Sequence, residues 1–147
     1  MTLLYADTSA LIRAYFADEP HHAELRAALL DGDDPVVTSE IARVEMASAV
    51  KAAARGGRLR RWREILARFD ADCQRSGPII LLRLRPEMVL PAAYRLVVQH
   101  HIRTLDALHV AVAVTEGPGL ADGGDIVFVT RDADQATAVK ALGFAVR

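Results

Sequence analysis

The chain has 147 residues, 52% of them apolar and 25% charged, with a formal net charge of −1. That length suits one domain burying roughly 70% of the surface of its unfolded chain. The composition excludes a disordered tail and a membrane span. Near-zero net charge excludes nucleic-acid binding through overall charge, so such a partner needs a local basic patch. A lone cysteine, Cys73, excludes an internal disulfide, and no basic-then-apolar leader opens the chain, so a cytoplasmic location is expected.

In chain order, Leu3–Ala6 is an apolar run expected to be a buried strand. It ends at Asp7, and Asp7, Thr8 or Ser9 can cap the helix expected over Leu11–Phe16. A helix over His21–Leu30 stops at the turn-forming "DGDDP". The strand Val36–Thr38 leads to Ser39, a capping residue for a helix running to about Arg55 and ending at Gly56-Gly57. A helix from about Leu59 to Arg75 precedes the strand Ile79–Leu84. Pro86–His100 reads as a helix kinked or restarted at Pro91. Thr104 can cap a helix over Leu105–Thr115, with "EGPGLADGGD" as the loop before the strand Ile126–Thr130. The helix Ala133–Leu142 and the strand Phe144–Val146 complete the chain. Continuous apolar runs suit strands covered on both faces. The expected fold is α/β: one domain over 1–147, with a central, mostly parallel five-stranded sheet flanked by helices on both faces.

Sheets of this kind bind ligands where strands end and helices begin. Asp7 stands at such a place, and Asp132 follows "IVFVT" after only Arg131. Asp106 lies in the first turn of its helix, in "RTLDALH". Helix N-termini offset crowded negative charge, although each acid, taken singly, reads better as a cap or first-turn residue. Glu45 is harder to place on the surface. It shares a helix face with Ile41, Ser48, Ala49 and Ala52, and a lone carboxylate in such company needs a partner, a proton or a metal. It is either a ligand or a boundary glutamate paired with an arginine or bonded to Ser48. Carboxylates with few histidines and no spare cysteine suit hard divalent cations such as Mg²⁺ and Mn²⁺ rather than zinc.

The series "YADTSAL", "ARVEMASA", "RTLDALHVAVA" and "FVTRDADQATAVKALGFAV" resembles the PIN-domain nucleases, and more narrowly the VapC-type toxins of type II toxin–antitoxin pairs, along essentially the whole chain. The resemblance maps an acidic quartet onto Asp7, Glu45, Asp106 and Asp132, with Ser9 orienting a carboxylate or water and Asp134 as a further acid. It implies an endoribonuclease dependent on Mg²⁺ or Mn²⁺, with an activated water attacking the phosphodiester in line. It also implies products ending in 5′-phosphate and 3′-hydroxyl, an RNA substrate, a homodimer, and a cognate antitoxin lying in the acidic groove.

Arg55, Arg58, Arg60, Arg61 and Arg63 cluster in "ARGGRLRRWR", either to hold RNA phosphates or as a solvated helix face. Trp62 can stack on a base, but in the stripe Leu59, Trp62, Leu66, Phe69, Cys73 it reads better as core or a dimer seam. His109, one turn after Asp106, is either close support for the site or a packing histidine, and His100 and His101 suit a helix end. A receiver domain lacks its aspartate in "IILLRLRP", and a dehalogenase-like phosphatase wants an acid where Ser9 stands. The remaining rival is a catalytically inactive PIN-fold module working through protein or RNA contacts.

Overall fold

A computed structural model describes residues 1–147. Leu3, Leu4, Tyr5 and Ala6 are each at most 3% exposed, so the first strand must be covered on both faces and lie inside a sheet. It does. Strands β1 (Thr2–Ala6), β2 (Val36–Ser39), β3 (Ile79–Leu82), β4 (Asp125–Val129) and β5 (Ala145–Val146) form one sheet in the order β3-β2-β1-β4-β5. Every neighbouring pair is parallel.

Side chains alternate across the sheet, and so the core is double. Leu4 and Ala6 pack with Leu11, Leu25, Met46 and Phe69. These come from α1 (Thr8–Tyr15), α2 (His22–Leu29), α3 (Ile41–Arg55) and α4 (Trp62–Asp72). Leu3 and Tyr5 face the opposite way, against Val89, Val110, Phe128 and Val139. The helices of that layer are α5 (Pro86–Gln99), α6 (Thr104–Ala121) and α7 (Ala133–Ala141). Tyr5 stacks on Phe128 with ring centroids 5.0 Å apart. Each such fully buried large side chain stabilises the fold by about 1.5–3 kcal/mol relative to an exposed one. The stripe on α4 is core: Phe69 is 1% exposed, and Leu59, Trp62, Leu66 and Cys73 pack against the same cluster.

Several expected boundaries move. Helix α5 runs unbroken through Pro91. Helix α6 continues to Ala121 through Gly117 and Pro118, where a loop was expected. Packing is close at this point: a Cβ on Gly117 would lie 3.1 Å from the Ile126 side chain, which would have to give way. The turn is left to Asp122 and Gly123, at φ 46° and 82°. Helix α4 starts at Trp62 rather than near Leu59. Strand β3 stops at Leu82, and the Leu84 amide donates to the Glu40 carboxylate instead of to a strand. Glu40, not Ser39, occupies the N-cap position of α3, although Ser39 Oγ accepts from the Ile41 amide at 3.3 Å. No helix is long and apolar enough to cross a membrane.

Candidate active site

Register builds the site. Ala6 at the end of β1 pairs with Val129 at the end of β4, and the Asp7 amide donates to the Val129 carbonyl at 3.0 Å. The next residues of both strands, Asp7 and Thr130, therefore emerge side by side on the carboxyl edge of the sheet. Asp7 caps α1, its Oδ2 accepting from the Ser9 amide at 3.1 Å. The structural reading of Asp7 as a cap is thus correct and leaves its Oδ1 for other partners. Only 2% of the residue is exposed.

Asp132 caps α7 through the Gln135 amide at 2.8 Å. Asp106 lies in the first turn of α6. Arg103 joins the two, its Nε donating to Asp106 at 3.1 Å and its Nη2 to Asp132 at 3.3 Å. Burial pushes the Asp106 carboxyl above the usual aspartate range, and the charges of Asp7 and Asp132 push it further, against the pull of Arg103.

Glu45 reaches the site through a histidine. His109 is fully buried. Its Nδ1 bonds to the Tyr5 hydroxyl at 2.9 Å, and its Nε2 lies 2.6 Å from Glu45 Oε1 and 3.7 Å from Asp7 Oδ1. Thr8 also donates to Glu45 Oε1, at 2.9 Å. Burial alone would raise the Glu45 carboxyl, but the histidine bond and charge, with the Thr8 hydroxyl, hold it below its usual range. Burial alone would depress His109, yet the Glu45 bond and the Asp7 charge raise it. Glu45 also lines a cleft of about 450 Å³ with Arg103, Thr104, Leu105 and Asp106. Beside it runs an apolar groove of about 550 Å³, walled by Ile12, Val44, Ala49 and Leu105 among others.

The other sequence-derived residues fall into two groups. Ser9 belongs to the site, its Oγ accepting from the Arg131 amide at 2.9 Å and lying 3.3 Å from Thr130 Oγ1. Asp134 turns away, with a side chain 62% exposed and 3.7 Å from His101. The arginines are largely engaged elsewhere. Arg58 donates to Asp18 and Glu19 at 2.9 Å, Arg61 pairs with Glu64, and Arg63 lies over the Trp62 ring. Arg55 and Arg60 are exposed. Tyr5, Thr130 and Gln135, which carry no expected role, and Thr8, expected only as a cap, are all drawn into the hydrogen bonds around the acids. The only signal was the spacing Asp132-x-x-Gln135, which matches a capping box at the start of α7.

No group of three or more acids, histidines and cysteines converges as a ready-made metal cage. The donor chemistry nevertheless fits a hard cation. Both nitrogens of His109 are taken, leaving only oxygens, and Mg²⁺ needs one or two carboxylates because it keeps several waters. Burial, then repulsion from Asp7 and Asp132, raises Asp106, and a cation placed among these groups would relieve the repulsion.

The same architecture occurs in solved structures. VapBC2 from Rickettsia felis, solved bound to a DNA fragment from its promoter, aligns over 99% of this chain and 97% of its own, with TM-score 0.65 and 11% identity. VapC20 of Mycobacterium tuberculosis, a sarcin–ricin loop cleaving toxin, aligns over 97% and 96%, with TM-score 0.63 and 20% identity. VapBC-1 of nontypeable Haemophilus influenzae aligns over 100% and 97%, with TM-score 0.62 and 12% identity. At these identities the likeness is one of fold. No curated protein sequence matches the chain. The PIN domain model matches residues 4–141, a span that takes in Asp7, Glu45, Asp106 and Asp132 together, and the chain therefore belongs to the PIN domain family.

Proposed function

We propose that this protein is a Mg²⁺- or Mn²⁺-dependent endoribonuclease, the cytoplasmic toxin of a type II toxin–antitoxin pair. One observation supports the reading: in a PIN fold, Asp7, Asp106 and Asp132 all stand near the carboxyl edge of the sheet, where burial first, and then the charges of Asp7 and Asp132, raise Asp106. The fold shared with an RNA-cleaving toxin supports the substrate, and the fold shared with VapBC complexes supports an antitoxin partner. A homodimer is supported by the apolar residues left open on α5, where Leu90, Tyr94 and Val98 are 53%, 73% and 68% exposed.

Asp7, Asp106 and Asp132 would hold the cation, with Glu45 at the cleft wall. A divalent cation, when bound, acidifies a water and neutralises charge on the phosphodiester. Glu45 is kept ionised by His109 and Thr8 through Oε1, so its other oxygen is available to take the proton of an attacking water. Asp7 is locked by Ser9 and Gln135, which spares the site reorganisation during the reaction.

A second reading rests on Arg103. Its guanidinium already satisfies Asp106 and Asp132, as it would in a PIN fold that works by contact alone. RNA cleavage with Mn²⁺ that stops in EDTA and is lost in Asp7→Asn supports the nuclease. Cleavage undiminished in Asp7→Asn, or none in the wild type with either metal, sinks it.

A further inference from the structure

Glutamine is mostly a surface residue, yet Gln135 is fully buried, at 0% exposure. Its polar atoms must then all find partners, and the partners are informative. Nε2 donates to Asp7 Oδ1 at 3.3 Å and to the Asp106 carbonyl at 3.2 Å. Oε1 accepts from the Thr130 hydroxyl at 2.6 Å. The backbone amide donates to Asp132 Oδ1 at 2.8 Å. One residue thus touches the end of β1, the first turn of α6 and the start of α7, and at each place it meets one of the three aspartates.

The orientation of the amide is dictated. An ionised carboxylate and a carbonyl only accept hydrogen bonds, so the –NH₂ end must face Asp7 and Asp106. Thr130 Oγ1 accepts from the Asp132 amide at 3.0 Å, which leaves its proton for Gln135 Oε1. An apolar side chain of the same length would fill the volume equally well, so packing alone does not call for an amide here. The side-chain bonds to the Asp7 carboxylate, the Asp106 backbone carbonyl and the Thr130 hydroxyl do.

We infer that Gln135 is a positioning residue that fixes Asp7 against Asp106 and Asp132, and thereby sets the affinity of the cleft for its divalent cation. The inference rests on the metal-dependent reading above. Partners of metal ligands typically change metal affinity or activity by about 10–100-fold when removed.

The test compares wild type with Gln135→Met, which keeps length and removes both donors. Free Mn²⁺ is followed by electron paramagnetic resonance and folding by circular dichroism. The Mn²⁺ dissociation constant should rise by roughly 10–100-fold, with kcat falling while KM for RNA stays nearly constant. A second measurement needs no variant: on adding Mg²⁺ to ¹⁵N-labelled wild type, the Gln135 side-chain amide should shift, while those of the exposed Gln74 and Gln99 stay in place. Unchanged Mn²⁺ affinity in folded Gln135→Met overturns the inference and leaves the nuclease reading standing, as does a Gln135 amide that is unmoved at saturating Mg²⁺. A wild type that binds neither cation overturns both.

Discussion

His109 Nε2 stands 2.6 Å from Glu45 Oε1, and the ring that makes this contact is fully buried. His109 is raised on net, so its contribution to stability is complete below the ordinary histidine value of 6.5 and is lost as pH rises through the shifted one. Glu45 is lowered, so its contribution is complete above the ordinary value of 4.5 and is lost as pH falls through the shifted one. The pair therefore stabilises the metal-free fold most between pH 4.5 and 6.5. In His109→Ala the melting temperature should lose its alkaline decline. Stability should drop by about 3 kcal/mol, the low end for breaking a buried pair, because the Glu45 side chain keeps 21% exposure. Thermal melts in EDTA across this range check it, and a variant with the wild-type pH profile would show that the pair is unimportant to the fold.

Much of this site is legible in the sequence because its main acids sit where a local pattern changes. The apolar run of β1 meets Asp7, "IVFVT" gives way to Asp132, and Asp106 opens a helix. What was not legible depends on long-range register. Gln135 meets Asp7 across 128 positions, and His109 meets Tyr5 across 104 and Glu45 across 64. No local spacing encodes those pairs. The choice between Asp132 and Asp134 is of the same kind, since both lie near the start of α7 and only the packing turns one inward and the other out. Helix α6 outran its expected end because Gly117 and Pro118 read as breakers locally, whereas in the fold the helix carries both and packs closely on β4 at Gly117.

The arginine segment divides by partner. Arg58 is already neutralised by Asp18 and Glu19, so Arg58→Ala should leave the salt dependence of RNA binding unchanged and shift stability by at most about 1 kcal/mol. Arg55 and Arg60 are exposed too and, unlike Arg58 and Arg61, form no ion pair. Changing both to Ala should flatten the slope of log affinity against log salt by about 0.7 for each RNA phosphate that they neutralise. Fluorescence anisotropy with a labelled RNA measures the slope. No change in the double variant would remove this segment from the RNA path.

Asp106 carries a penalty that an amide avoids. Its raised pKa means that the ionised form is disfavoured in the native state, so stability rises as pH falls from the shifted value to the ordinary 3.8. In EDTA at neutral pH, Asp106→Asn should be more stable than wild type by about 1 kcal/mol, the scale of relieving charge crowding at a functional site. The loss of its exposed bond to Arg103 limits the gain. The difference should vanish as pH approaches 3.8, and reverse in excess Mn²⁺, because metal bound only to the native state stabilises the protein that retains its ligand. Paired melts with and without metal decide it, and a variant that melts lower in EDTA would mark Asp106 as chiefly a first-turn acid.

Arg103 and a divalent cation compete for the same carboxylates. The guanidinium lies 3.1 Å from Asp106 and 3.3 Å from Asp132, while its side chain is 82% exposed. Such a group can swing into solvent at little cost, but near a bound cation it adds like-charge repulsion, and while paired it must first be displaced. At the high effective dielectric of an exposed site a unit charge at this range is worth about 1 kcal/mol, or roughly fivefold in affinity. Arg103→Met should therefore bind Mn²⁺ about fivefold more tightly than wild type, and the gain should shrink as ionic strength rises. Removing the arginine should also lower the metal-free melting temperature slightly, because Asp106 and Asp132 then repel without a counter-charge. The two effects have opposite signs in metal-free and metal-loaded protein, which a general loosening of the fold would not produce. Mn²⁺ titrations at low and high salt measure the first effect and melts in EDTA the second. Affinity equal to wild type at low salt would mean that Arg103 leaves the acids without cost, and that the ion pair does not govern access to them.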